Sequence, residues 1–246
     1  MNPLKHSGGL LLGALLALAA PARAAGVNLA WNECLSEGGV GVRSVPCGSD
    51  AGTNDAVGSF SVSRPQPQFV GCEVVLDLQA DGPRLPDWWQ FFNSGACRQN
   101  ALTASFDFTT APQGACQDPF SGLAMGGVAG YHTSSTQPPV PSARANAARI
   151  ILAMAVANPV GLSSGTEYYA FRLRISNQRT SGGGGCAGCA SPVCITLSEL
   201  RAAESDGRKE ILTTALQSNG ISWQTSSTCA TGNQNRTWGS IKQLYR

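Results

Sequence analysis

Apolar and polar residues alternate in short runs along most of this chain, the period-two pattern of β-strands that each bury one face. VNLAW (Val27–Trp31) is the first such run and VGSFSVS (Val57–Ser63) the second. Around Cys72, VGCEVVLDL sets Val70, Cys72, Val74, Leu76 and Leu78 on one face. ALTASFDFTT, from Ala101 to Thr110, alternates again. EYYAFRLRISN sends Tyr169, Phe171, Leu173 and Ile175 one way and Tyr168, Arg172 and Arg174 the other. ARIILAMAVAN (Ala148–Asn158) fits helix or strand by pattern; its shortness and the Asn158-Pro159 break favour strand. VCITLSEL and KEILTTAL also read as strands, the second with helix as a competitor. Residues 111–146, rich in Gly, Pro, Ser and Gln, predict a long irregular excursion. At the end of the chain, Trp238, Ile241, Leu244 and Tyr245 recur at helical spacing and predict a short helix over 237–246, docked as a plug on the core. Roughly eight to ten strands joined by turns make the expected fold all-β: a two-sheet sandwich, Ig-like or jelly-roll-like, in one domain over residues 25–246.

The N-terminus breaks this pattern. Lys5 and His6 give a positive start, Leu10 to Ala20 is apolar, and Ala22 and Ala24 stand at the small-residue spacing that a signal peptidase reads. The apolar run is shorter than the ~20 residues needed to span a bilayer, so residues 1–24 read as a signal peptide cleaved near Ala24. A secreted or periplasmic location follows. IILAMAVA (Ile150–Ala157), the best later apolar run, is only strand length, so no membrane span is expected. Removing Lys5 and Arg23 from the 17 basic residues leaves 15 against 15 acidic ones. The exported chain is then formally neutral, without the basic footprint of a nucleic-acid partner.

Export changes the reading of the nine cysteines, because oxidised pairs become the default. Proximity in sequence predicts Cys34 with Cys47, Cys97 with Cys116, and Cys194 with Cys229; Cys186 and Cys189 belong to a glycine-rich structural staple. The odd count leaves one thiol, and Cys72 in its apolar alternation is the candidate. The cluster CAGCASPVC lacks the fourth ligand of a zinc site. GGGG before it and Pro192 after it are loop chemistry rather than a redox CxxC opening a helix, and Ala190 stands where haem attachment needs His.

Catalytic constellations do not emerge. His132 is the one histidine left after export and has no G-x-S-x-G elbow beside it, which argues against serine or cysteine hydrolases. Asp77, Asp87, Asp107 and Asp118 lie near aromatics and keep a carbohydrate-active enzyme with paired carboxylates as the alternative. Asp50, Asn54 and Asp55 are weak calcium candidates without the EF-hand spacing, and turn formation accounts for them. No cofactor is indicated. Trp88 and Trp89 are the binding candidates: neighbours in a strand point to opposite faces, which would expose one, whereas helical or loop cover on the sandwich would bury both. The leading expectation is a non-enzymatic extracellular module with a surface, matrix, filament or adhesion role, its partner a glycan or another protein.

VNLAWNEC, VVLDLQ with PDWWQF, GTEYYAFRLRISN, GCAGCASPVCI and the terminal TWGSIKQLYR together resemble a family of uncharacterised secreted proteins of environmental bacteria. The resemblance spans nearly the whole exported chain. It implies a recurring exported architecture and supplies no activity and no functional residue. Related chains carry no cysteine at the Cys72 position, which implies that this is the odd one.

Overall fold

Twelve strands in two sheets, with two single-turn 3₁₀ helices, form the regular structure of this protein in a computed structural model that describes residues 24–92, 96–134, 144–226 and 229. Most of the expected signal peptide and the expected C-terminal helix lie outside the described residues. The smaller sheet runs β1 (Gly26–Trp31), β3 (Thr53–Ser61), β9 (Glu167–Ser176), β5 (Leu102–Ser105), with β6 (Cys116–Gln117) also on β9. The larger runs β2 (Val42–Arg43), β12 (Gly220–Trp223), β10 (Val193–Glu204), β4 (Gln66–Ala80), β8 (Ala147–Leu162), β7 (Ala124–Thr133), with β11 (Lys209–Leu212) also on β10.

The core lies between the sheets. Leu29, Phe60, Phe171 and Leu173 come from one side and Val74, Leu76, Leu152 and Leu197 from the other, all essentially without exposure. Alternation places most of these, but bulges change the phase. A bulge opposite Gly58/Ser59 inserts Ala170 into β9, so Tyr168 joins the main core and Tyr169 turns to the outer side. The expected common face of Tyr169 with Phe171 is corrected by that single residue, because one extra residue flips every side chain before it. Irregular pairing at Phe69/Gly71 likewise puts Phe69, rather than Val70, in the core row of β4. Further irregularities lie in β7, between Val128 and Gly130, and in β10, between Leu197 and Glu199 and between Ala203 and Glu204.

The excursion expected over 111–146 holds strands β6 and β7, which corrects that reading. β7 reads AMGGVAGYHT, glycine-rich and poor in β-branched residues, so propensity hides it and pairing along β8 makes it a strand. His132, expected in a loop, therefore sits on β7 opposite Arg149.

The main-core end near β12 is aromatic. Trp88 and Trp89 lie in the 3₁₀ turn Asp87–Trp89, where neighbours need not point to opposite sides, and both are fully buried. Their rings sit 5.0 Å apart; Trp223 is 4.9 Å from Trp88 and 5.3 Å from Trp89, and Trp31 is 5.9 Å from Trp223. Of the two alternatives read from the sequence, burial of both holds, and neither ring is exposed as a binding platform. Arg98 closes the cluster: its guanidinium lies 3.5 Å over the Trp88 ring and donates to the carbonyl oxygens of Trp88, Ser176 and Gln178.

Four disulfides join Cys34–Cys116, Cys47–Cys189, Cys97–Cys186 and Cys194–Cys229. The expected local pairs Cys34–Cys47 and Cys97–Cys116 do not form. Cys34 follows β1 on the outer side of the smaller sheet, whereas Cys47 lies next to Gln224, just past β12 of the larger one. Cys186 and Cys189 clamp one short loop to two distant segments, and Cys72 is buried and unpaired.

Candidate functional site

A two-sheet sandwich has four sheet faces, and two of them make the core. The outer face of the smaller sheet is covered around Val57 and Tyr169 and exposed at Thr103 and Arg174, in the row with half-buried Asp55. Phe108 stacks on Tyr169 at 4.5 Å and packs with Val57, Cys34 and Cys116, and the Cys34–Cys116 bridge ties the covering segments together. Beneath them the Glu167 carboxylate accepts hydrogen bonds from Asn28 (2.8 Å), Ser59 (2.5 Å) and Ser36 (2.6 Å). Burial, then the nearby Glu33 and Glu37 charges, push the Tyr169 hydroxyl up to about 12. The outer face of the larger sheet is exposed across its strands at Met125, Ala153, Ala155, Glu73 and Arg201.

Strand register defines that face. One row across β7, β8, β4, β10 and β11 reads Met125, Ala155, Gly71, Ala203, Lys209. The next reads Gly127, Ala153, Glu73, Arg201, Ile211. Then come Gly130, Ile151, Val75, Glu199, and finally His132, Arg149, Asp77, Thr196. Small side chains in the first row leave a shallow groove of about 290 Å³, with Gly71, Ala155 and Ala203 on its floor and Glu73, Arg201 and Lys209 around it. Met125 at one end is 80 % exposed and Ile211 at the other 59 %. The charges on this face are mostly paired: Arg149 bridges Asp77 at 2.8 Å, and Arg201 binds Glu73 at 3.1 Å and also Glu199.

The face ends at β7, an edge without charge. No Asp, Glu, Lys or Arg stands between Asp118 and Arg144. Leu123, just before the strand, is 68 % exposed. Sequence patterning missed this edge because the exposed row carries Met and Gly instead of polar residues; the long charge-free stretch was the available signal.

The residues singled out from sequence are not brought together. Asp77 lies on the open face, bound to Arg149 and to Ser198 at 2.6 Å. Asp107 accepts from Thr109 and Asp118 from Phe120 in the segment covering the other sheet, so these acids share no cleft with Asp77. The calcium candidates also separate, which corrects that grouping. Asp50 accepts from the backbone and hydroxyl of Ser181, which hold its pKa below the ordinary carboxylate value. Asn54 binds Asn177, and Asp55 forms a two-pronged pair with Arg174 at 3.0 Å. Cys34, Cys116 and Glu167 converge closely, but their sulfurs are committed to a disulfide, not available as thiolate ligands.

Fold and surface define a disulfide-stapled, two-sheet β-sandwich with an exposed outer face on its larger sheet, and disulfides are the chemistry of oxidising compartments outside the cytoplasm. Among the described residues no helix is long and apolar enough to cross a membrane. No family model and no curated relative matches the chain. Among solved structures it is similar to a cohesin module of a family 33 glycoside hydrolase from Clostridium perfringens, at TM-score 0.38 and 8 % identity over 81 % of this chain and 96 % of that one.

Proposed function

We propose that this chain is a secreted, non-enzymatic binding module that engages another extracellular protein through the outer face of its larger sheet. The supporting observation is that this face is exposed across β7, β8, β4 and β10 and small-residue-floored between exposed Met125 and Ile211. Contiguous exposed apolar surface on a stapled scaffold is the usual mark of a protein contact. A glycan would be served by an exposed aromatic platform, and Trp88 and Trp89 are both buried. For the paired-carboxylate alternative, the acids on this face are committed to arginines: Glu73 and Glu199 both bind Arg201, and Asp77 is held by Arg149 and Ser198.

Hydrogen exchange of the purified protein, with and without concentrated extracellular protein from its producing organism, tests the reading. Protection over β7 and β8, lost in Ala153→Arg and Ala155→Arg, is expected, since both positions are exposed and tolerate the change. Protection confined to the smaller sheet, or selective glycan-array binding indifferent to these variants, overturns it.

A further inference from the structure

We infer that β7 pairs with β7 of a second copy of this chain, antiparallel about Gly126, joining two large sheets edge to edge. The inference rests on reading this sheet as an interaction surface and names the occupant of its edge.

Sheet edges carry unpaired N–H and C=O groups, which proteins blunt with charge, proline, bulges or a covering segment. This chain covers its other long edges with backbone. Residues 214–218 lie along β1, with Val27 donating to Thr214 at 2.9 Å, Leu216 to Val27 at 2.9 Å and Leu29 to Ser218 at 2.8 Å. β5 and β6 divide the outer side of β9, β11 and β12 divide that of β10, and β2 covers β12. Residues 124–128 of β7, among the described residues, pair on one side only, with β8.

What fits that edge is decided by charge and shape. A charged strand finds no counter-charge between Asp118 and Arg144, while an identical strand needs none. An edge bearing Lys would repel its own copy. Met125 and Gly127 occupy the same outer row, because they pair with Ala155 and Ala153. A two-fold axis at Gly126 sets each Met125 opposite the partner copy's Gly127, and Ala124 opposite Val128 in the inner row. The exposed thioether chain then meets a position without a side chain, reciprocally, which is the self-complementarity that a two-fold interface demands. The bulge after Val128 limits regular pairing to 124–128. That is far smaller than a standard interface of ~1,600 Å², so the dimer is weak and forms at high local concentration.

Gly127 supplies a clean test. A Cβ built there meets nothing within 4 Å, and its backbone is not in the left-handed region, so Gly127→Glu leaves the monomer intact while placing two carboxylates in the joint. Sedimentation of the exported chain from micromolar to millimolar concentration is expected to show the mass rising towards two chains. Gly127→Glu should weaken association by at least about tenfold with an unchanged melting curve. Met125→Cys combined with Gly127→Cys should give a reducible covalent dimer on oxidation. A wild-type chain that stays monomeric at millimolar concentration, or a Gly127→Glu chain that associates like wild type, overturns the pairing. If the chain is monomeric while Ala153→Arg still abolishes partner protection, self-pairing falls and the binding-module reading stands.

Discussion

Arg98 and Cys72 are the two buried side chains whose chemistry departs most from their usual surroundings. Arg98 is fully buried without a carboxylate in contact; desolvation pulls its pKa down to about 9, and the more distant Asp50 charge opposes that shift. Three carbonyl oxygens and the Trp88 face hold the cation instead. Arg98→Met keeps the bulk but leaves those carbonyls unsatisfied, which should cost about 3 kcal/mol and lower the melting temperature by roughly 6–12 °C in calorimetry. Cys72 is surrounded by apolar side chains, and burial pushes its thiol from 9.0 up to about 12. A thiol reagent at pH 8 should leave the native chain untouched and find one group per chain after denaturation. Below pH 8 the thiol is neutral in both folded and unfolded chains. Above its ordinary value the unfolded chain releases the proton and the folded one does not, so stability falls as pH rises towards 12. Between pH 8 and 10 the wild type should therefore lose about 1.4 kcal/mol more than Cys72→Ala, read from urea midpoints at each pH.

Among the elements, glycines separate structural constraint from open surface. A Cβ at Gly71 would stand 2.3 Å from the Met154 carbonyl oxygen, inside the β4–β8 ladder, and backbone cannot swing away as a side chain does. Gly71→Ala should destabilise by about 2 kcal/mol or more, whereas Gly127→Ala should change the unfolding midpoint by less than about 0.5 kcal/mol. The strands of the core were legible in the sequence wherever alternation was unbroken, as in VNLAW and VVLDL. Alternation fails at Ala170, because a bulge is set by the partner strand and leaves no mark in the bulged one. β7 escaped for another reason: on an edge strand of Ala, Met and Gly the exposed row is not polar, so its period carries no contrast. Trp88 and Trp89 were assigned opposite faces by strand logic, and a single 3₁₀ turn buries both.

At the scale of the molecule, disulfide connectivity is a property of the sandwich and not of any segment. Cys47 and Cys189 are separated by 142 residues, Cys34 and Cys116 by 82, and Cys97 and Cys186 by 89. Pairing by nearness in sequence fails because Cys34 and Cys47 lie on different sheets, and because Cys97 sits beside Arg179, past the end of β9, while Cys116 pairs with Glu167 at its start. Cys194–Cys229, at a separation of 35, is the pair that nearness does find. Removing Cys47 and Cys189 together as alanines should cost ~4 kcal/mol, measured by denaturant unfolding, because the Cys97–Cys186 bridge shortens the loop they close to several tens of residues. An unchanged midpoint would mean that the remaining bridges already restrict the unfolded chain as tightly.

The aromatic end of the core carries an optical consequence. Four of the five tryptophans form one chain of rings, each within 6 Å of another. Excited indoles so close share their excitation before they emit, and Trp223 donates at 2.7 Å to the backbone of Cys189, itself half of a disulfide. Disulfides accept electrons from excited indole, so native emission should be dim and brighten on reduction while the fold persists. The protein thus carries its own light-based gauge of whether its staples are closed.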